Sequence, residues 1–274
     1  MPETMVQNAP RPWRPAPLLS ASAALHVGAI ATAAIRPHLW PWALGAMLAD
    51  HLLLSGIGLC PRSSLLGPNW TRLPDTTTTR NTVAITIDDG PDPDITPRVL
   101  ALLDEHDAKA TFFCVGERVL RYPDLAREIV RRGHAVENHS QRHVHHFSML
   151  GPRGLAEEIG KGQESIAGVV GVMPRFFRAP AGLRNPLLEP VLTRFGLQLA
   201  SWTRRGFDTV SHNAEAVLSK LTRHLGGGDI LLLHDGHAGR TRSGEPIIFV
   251  ALPRLLAAVA DAKLRPITLR AALP

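Results

Sequence analysis

Cysteine is nearly absent. Cys60 and Cys114 are the only two in 274 residues, and neither belongs to a Cys-x-x-Cys pattern. That excludes a disulfide framework and a thiolate zinc site, and leaves Cys114, inside an apolar run, as a small buried hydrophobe. Aromatic residues make up 5% with one tyrosine, and no basic block is interleaved with them. A stacking platform for nucleic acid is therefore missing, and no nucleic-acid partner is expected. Internal repeats and long low-complexity tracts are missing too. The basic excess, 30 Lys and Arg against 24 Asp and Glu, comes mostly from scattered arginines and reads as a modest pull toward anionic lipid. The length suits one large α/β domain with a well-buried core.

Apolar residues concentrate before Cys60. Pro17 to Ile35 is long enough to cross a bilayer, with His26 its only titratable group. After Arg36-Pro37-His38, a second apolar stretch runs from Leu39 to Cys60. Trp40 and Trp42 stand where interfacial anchors would, but Asp50 and His51 would fall near mid-membrane, costly unless paired. A rival reading makes the first stretch a signal peptide, with Arg11 and Arg14 as its basic region and Ala31-Thr32-Ala33 resembling a cleavage site. Its apolar core is longer than such a peptide needs, which favours an uncleaved span. For a hairpin of two spans, Arg11, Arg14, Arg62 and Arg72 outnumber the intervening Arg36 and place both ends in the cytoplasm. With one span, the downstream domain lies outside. The expected division is a membrane anchor over residues 1–60 (segments 17–35 and 39–60), a linker or strap over 61–80, and one domain over 81–274.

From Thr82 onward short β-type runs alternate with helical stretches. The runs are Thr82 to Ile87, Ala110 to Val115, His134 to Glu137, Phe176 to Arg178, Gln198 to Trp202, Ile230 to His234 and Pro266 to Leu269. Thr96-Pro97, Tyr122-Pro123, Gly151-Pro152 and Asn185-Pro186 place proline where a first helical residue belongs, and Asn213 can cap a helix running toward His224. Leu155, Ile159, Ile166 and Val170 recur at helical spacing. The alternation predicts an α/β fold, a barrel of about seven parallel strands. Asp88, Asp89, His139, Arg178, Trp202 and His234 would then gather at the carboxyl ends of the strands, the face where such barrels place their chemistry.

Those residue types suit a hydrolytic metal site. One carboxylate and two imidazoles bind a divalent cation while leaving a position open. His139 and His143, four residues apart, can point the same way from a helical turn or compact loop, with Asp88 or Asp89 as the oxygen ligand. The spacing is like the His-Glu-x-x-His of metalloproteases, but Ser140 stands in the glutamate's place, so that reading loses its base. Without the aspartates, His-x-x-x-His is more often a pair of surface histidines.

Five motifs in order, Thr86-Ile87-Asp88-Asp89-Gly90, His139-Ser140-Gln141-Arg142-His143, Arg178-Ala179-Pro180-Ala181-Gly182, Trp202 to Asp208, and Leu232-Leu233-His234, resemble the polysaccharide deacetylase family with the NodB homology domain, carbohydrate esterase family 4. The resemblance runs from about Val83 to the C-terminus. It implies a distorted (β/α) barrel with fewer than eight complete units and a hydrolase that removes N-acyl, expected to be N-acetyl, groups from an amino sugar. It implies Asp88 as catalytic base, Asp89, His139 and His143 as ligands of a divalent metal (Zn2+, with Co2+ or Ni2+ as alternatives), and Arg178 as the residue orienting the base. The backbone N–H around Ala181 corresponds to an oxyanion donor, His234 to the general acid, and Leu232 to the wall of the acetyl pocket. Asp208 is our candidate for tuning His234, and Trp202 for lining the sugar cleft.

The family pattern is not matched everywhere. Ile87 replaces a common aromatic, Glu137 stands where glycine is usual and is expected to reshape the metal loop or supply an acceptor to its ligands, and the fourth motif retains only Trp202 and Asp208. Trp202 is nearly as well read as core packing, whereas a satisfied core histidine is the lesser reading of His234. Asp235 is expected to cap the next turn, His145 and His146 to face solvent or support the ligands, and His106, His212, His224 and His237 to be structural. The expected partners are an acylated amino-sugar glycan, or a lipid-linked sugar or glycolipid precursor if the domain is cytoplasmic, together with a membrane, taken to be a bacterial inner membrane. No protein partner is predicted. A reading from another class is a catalytically silent glycan-binding barrel.

Overall fold

The computed structural model describes residues 12–76 and 79–273. Arg11 and the Thr77-Thr78 part of the linker lie outside the described residues.

Two helices open the described chain, α1 (Pro17–Ile35) and α2 (Trp40–Gly58), joined by a 3-10 turn over Pro37–Leu39. Among the described residues only α1 is long and apolar enough to cross a membrane, by length and composition. The second predicted span forms its helix but does not meet the same measure, because Asp50 and His51 interrupt its apolar run.

The catalytic face is built by a parallel sheet curved into an open barrel. Its strands are β1 (Thr82–Asp88), β2 (Ala110–Cys114), β3 (Ala135–Asn138), β4 (Phe176–Phe177), β5 (Gln198–Leu199), β6 (Arg204–Arg205) and β7 (Ile230–His234). They are arranged β5-β4-β3-β2-β1-β7-β6, and β8 (Arg265–Pro266) pairs with the start of β1. The helices are α3 (Thr96–Glu105), α4 (Gly116–Arg121), α5 (Pro123–Arg131), α6 (Pro152–Val170), α7 (Leu188–Arg194), α8 (Ala214–Thr222) and α9 (Ile247–Asp261). Proline sits in the first turn of α3, α5 and α6 as read from the sequence, and the Asn213 side chain accepts from the Ala216 N–H at 3.2 Å to cap α8. At α7 the expectation fails. Asn185 instead turns the chain, its Oδ1 accepting from the Leu187 N–H, and the helix starts at Leu188. β6 was not foreseen, and the last strand falls one residue earlier and shorter than expected.

Side-chain alternation sorts β1 and β7 into two faces. Val83, Ile85, Ile87, Leu231 and Leu233 pack outward with Val99 and Leu103 of α3 and Leu252 and Leu255 of α9. Ala84, Ile230 and Leu232 point inward with Phe113, Phe176 and Trp202. Thr86, Asp88 and His234 occupy this inward set at the top of the strands, and register places Asp88 beside His234.

Between β5 and β6 the sheet lacks a strand, and the segment after α2 lies across the opening. Trp70 forms a parallel bridge with Ala200 and Arg72 an antiparallel one with Asp229. Leu73 N–H donates to the Gly228 carbonyl at 2.8 Å, and the Thr203 hydroxyl to the Thr71 carbonyl at 2.5 Å. The predicted linker is thus a strap that satisfies exposed strand edges. At its start the hairpin touches the domain directly. Arg184 N–H donates to the Gly58 carbonyl at 3.1 Å, and a Cβ at Gly58 would collide with the Arg184 carbonyl.

Candidate active site

The ends of β1, β3 and β7, with the loops after β4 and β6, meet in one cleft. Asp88 closes β1 and Asp89 follows in the left-handed region at φ 75°. The His139–His143 segment is a compact turn with Ser140 and His143 at φ 65° and 54°. Its fold is written in its small polar residues. Asn138 Oδ1 accepts the Ser140 N–H at 2.8 Å, and Ser140 Oγ accepts the His143 N–H at 3.0 Å. Ser140, which costs the protease reading its base, shapes the turn that turns both imidazoles inward.

Three groups converge there. Asp89 Oδ1 lies 3.2 Å from His139 Nε2 and 3.2 Å from His143 Nε2. That oxygen is buried and has no geometrically sound hydrogen-bond partner. His139 Nδ1 sits 2.8 Å from the Arg178 carbonyl, which can only accept, so the proton belongs on Nδ1 and the Nε2 lone pair faces Asp89. A buried acceptor facing two nitrogens of this kind fits a divalent cation with an Asp-His-His donor set. Burial pushes the Asp89 carboxyl up, but the imidazoles of His139, His237 and His234 around it hold it well below the usual carboxylate range. Burial and repulsion by His139 lower His143 to about 4, so its ring is a neutral donor at physiological pH.

Asp88 stands apart from this set. Its Oδ1 accepts from Arg178 Nη1 at 2.7 Å, and its Oδ2 is 4.0 Å from His139 Nε2. Arg178 is 1% exposed, and the fold uses nearly every donor it has. Nη1 also reaches Thr86 Oγ1 at 2.8 Å, Nε the Ala200 carbonyl at 3.0 Å, and Nη2 the Ser201 carbonyl at 2.6 Å, with the guanidinium 4.1 Å from the Phe113 ring centroid. A guanidinium so fixed aims the carboxylate.

His234 and Asp208 form a second pair. Asp208, fully buried, accepts the His234 backbone N–H at 2.7 Å through one oxygen and faces Nδ1 at 2.9 Å through the other. Burial opposes the charged imidazole, yet the Asp208 charge and hydrogen bond outweigh it and raise His234 to about 9. The ring is an imidazolium at neutral pH, with Nε2 left over as a proton donor.

Ala181, at φ 55°, lines the same cleft with Leu232 and Trp202. Trp202 is 7% exposed and belongs to the inner core, so its packing and cleft-lining readings both describe it. Asp235 accepts from the Thr96 hydroxyl at 2.5 Å and from the Gly236 N–H, the turn-capping role expected of it.

Some residues stand elsewhere than expected. Glu137 does not touch the metal loop. It points through the opposite face of β3, accepting from the Arg175 and Phe176 N–H groups at 2.7 and 2.8 Å and from Arg270 Nε at 2.5 Å, and so ties the C-terminal segment to the barrel. A residue on a strand alternates sides with its neighbour, and Asn138, not Glu137, is turned toward the histidine loop. His237, read as structural, lies with Nδ1 3.5 Å from Asp89 Oδ2. Arg205, Thr209 and His145 also line the cleft. None of these four carried a motif, and the doublet of β6 that delivers Arg205 is too short to read as a strand.

Residues 75–200 match the polysaccharide deacetylase family. The chain is 36% identical over 163 residues to a peptidoglycan-N-acetylglucosamine deacetylase of Bacillus cereus, covering 59% of this chain and 76% of that protein. It is 33% identical over 161 residues to a chitooligosaccharide deacetylase of Azorhizobium caulinodans, covering 58% and 76%. Among solved structures, the family 4 carbohydrate esterase of Streptomyces lividans, in complex with acetate, superposes with a TM-score of 0.62 at 31% identity over 69% of this chain and 92% of that one. Shared sequence, a matching half-barrel and this cleft lead to one statement: the chain belongs to the polysaccharide deacetylase family of carbohydrate esterases.

Proposed function

We propose that the protein hydrolyses the N-acetyl group of an N-acetylglucosamine-type residue in a glycan. The observation that carries this reading is the buried, unpartnered Asp89 oxygen facing two imidazoles, with Asp88 on one side and His234 on the other. The two named relatives act on peptidoglycan and chitooligosaccharides, which share that sugar.

Asp89, His139 and His143 would hold the cation, of zinc, cobalt or nickel type by the borderline character of the donors. When bound, it supplies positive charge that acidifies water and polarises an acyl carbonyl. The chain does the rest. Asp88, held in place by Arg178, takes the proton of the attacking water through the carboxylate oxygen that Arg178 leaves free. The backbone N–H at Ala181 donates to the oxygen of the tetrahedral adduct. An amine leaves poorly as an anion, so the imidazolium of His234 gives its Nε2 proton to the departing nitrogen, while Asp208 keeps that proton available. Leu232 offers an apolar wall that fits a methyl group.

Amine release from acetylated glucosamine oligomers, with metal content measured alongside, tests the roles. Asp88→Asn is expected to lose about 10²–10⁴-fold in turnover while keeping its metal, and His139→Ala to lose the metal itself. Near-normal turnover by Asp88→Asn would overturn the assignment. With base, ligands and acid all in place, a silent glycan-binding barrel has no residue loss to recommend it.

One observation favours a substrate carried near a membrane. Gly182 lines the cleft, and a Cβ on it would lie 2.5 Å from Trp202 and 2.8 Å from Pro61, so the segment leaving α2 packs directly behind the cleft. On this reading the acceptor is a lipid-linked amino sugar. The full chain should then deacetylate a polyprenyl-phosphate-linked N-acetyl sugar in preference to the free oligomer, and a C-terminal reporter enzyme should be active on the cytoplasmic side.

A further inference from the structure

The hairpin contains a second grouping of metal-type donors, separate from the cleft and unused by the chemistry above. His26 is the one titratable residue of α1, and Asp50 and His51 are the two of α2. All three come together, with one donor atom from each within 4.8 Å of the others. Ionisable side chains in apolar helices are costly unless compensated. Here every one the two helices carry is spent at a single point.

The ring pair is like that of the cleft, with the difference that His26 stands with Nδ1, at 3.8 Å, toward Asp50 Oδ2. The His26 and His51 rings stand 5.0 Å apart at 66°, against 4.8 Å and 54° for His139 and His143. His26 Nδ1 lies 2.8 Å from the Ser22 carbonyl, and His51 Nδ1 lies 2.8 Å from the Met47 carbonyl. Each carbonyl can only accept, so each Nδ1 bears the proton and each Nε2 keeps its lone pair, the tautomer that the Arg178 carbonyl imposes on His139. Asp50 is 8% exposed, and its Oδ2 accepts from the Ser22 hydroxyl at 2.6 Å. A ligand carboxylate is commonly steadied by such a neighbour.

We propose that His26, Asp50 and His51 bind a divalent cation, of the zinc, cobalt or nickel type their nitrogen and oxygen donors prefer, and that this ion joins α1 to α2. The site is independent of the cleft and of the activity proposed for it.

The test uses the full chain in detergent, freed of any affinity tag, stripped with chelator and titrated with Co2+ under equilibrium dialysis and absorption spectroscopy. The expected result is two equivalents per chain for the wild type. One equivalent remains in His26→Ala/His51→Ala, one in His139→Ala/His143→Ala, and none in the quadruple variant. The single variant His51→Ala, altering an exposed side chain, should also lose one equivalent while helix content by circular dichroism and deacetylation stay unchanged. A wild-type chain that binds one equivalent, removed only by the His139 and His143 changes, overturns the proposal and leaves a metal-free Ser22-Asp50-His26 clasp. One equivalent removed only by the His26 and His51 changes would support this site and remove the metal from the cleft.

Discussion

Asp89, Ser140, His143 and Ala181 all stand at positive φ, and all belong to the cleft. Such conformations cost on the order of 1–3 kcal/mol each for residues with a side chain, and persist where surrounding contacts over-determine them. The bonds from Asn138 and Ser140 supply that determination for the histidine turn. Within the cleft, Asp208 makes the sharpest prediction. In Asp208→Asn the amide oxygen can still accept from Nδ1, but the charge that raises His234 is gone. The alkaline limb of the kcat profile, expected near the His234 value of about 9, should move toward neutrality, with turnover at pH 8 falling roughly tenfold. A limb that stays in place would remove His234 as the acid. Most cleft residues were legible in the sequence, because general-base, ligand and acid chemistry restrict residue type and each motif follows an apolar run. His237 and Thr209 were not, since they reach the cleft through loops that carry no period, nor was Arg205, on a strand of two residues, and Glu137 misled because its side of the strand depends on a register that sequence leaves open.

At the scale of elements, proline at the first turn of α3, α5 and α6 and the alternation of β1 and β7 could be read directly. The strap could not, because a segment that completes a sheet through isolated bridges has neither strand length nor regular alternation. Trp70 is one of its apolar contacts, beside the buried Leu73, and stands edge-on to Phe176 at 5.0 Å between centroids. Trp70→Ala should lower the unfolding free energy by about 2 kcal/mol, less than a fully buried aromatic would cost. Urea midpoints at constant m-value would measure it. An unchanged midpoint would mean that the backbone bridges alone hold the strap. Arg72, paired with Asp229 at 2.6 Å but half exposed, should contribute less.

For the whole molecule, the His234 pair links folding to pH. Its imidazole is raised above the unfolded value of about 6.5, so its stabilisation is complete below that pH and is lost as pH climbs through about 9. The full effect is ~3 kcal/mol by linkage. The denaturation midpoint should therefore fall between pH 7 and 9.5 in the wild type, and fall less in Asp208→Asn. Equal slopes in the two would show that the alkaline loss comes from other groups.

The seam between Gly58 and the Arg184 carbonyl leaves no slack between the helical hairpin and the barrel. Most tethered hydrolases search a volume whose radius grows with tether length. Were the first helix seated in a bilayer, a cleft packed against the segment a few residues beyond the second would have no such radius. It would work at one height above the lipid, on whatever the lipid brings past it.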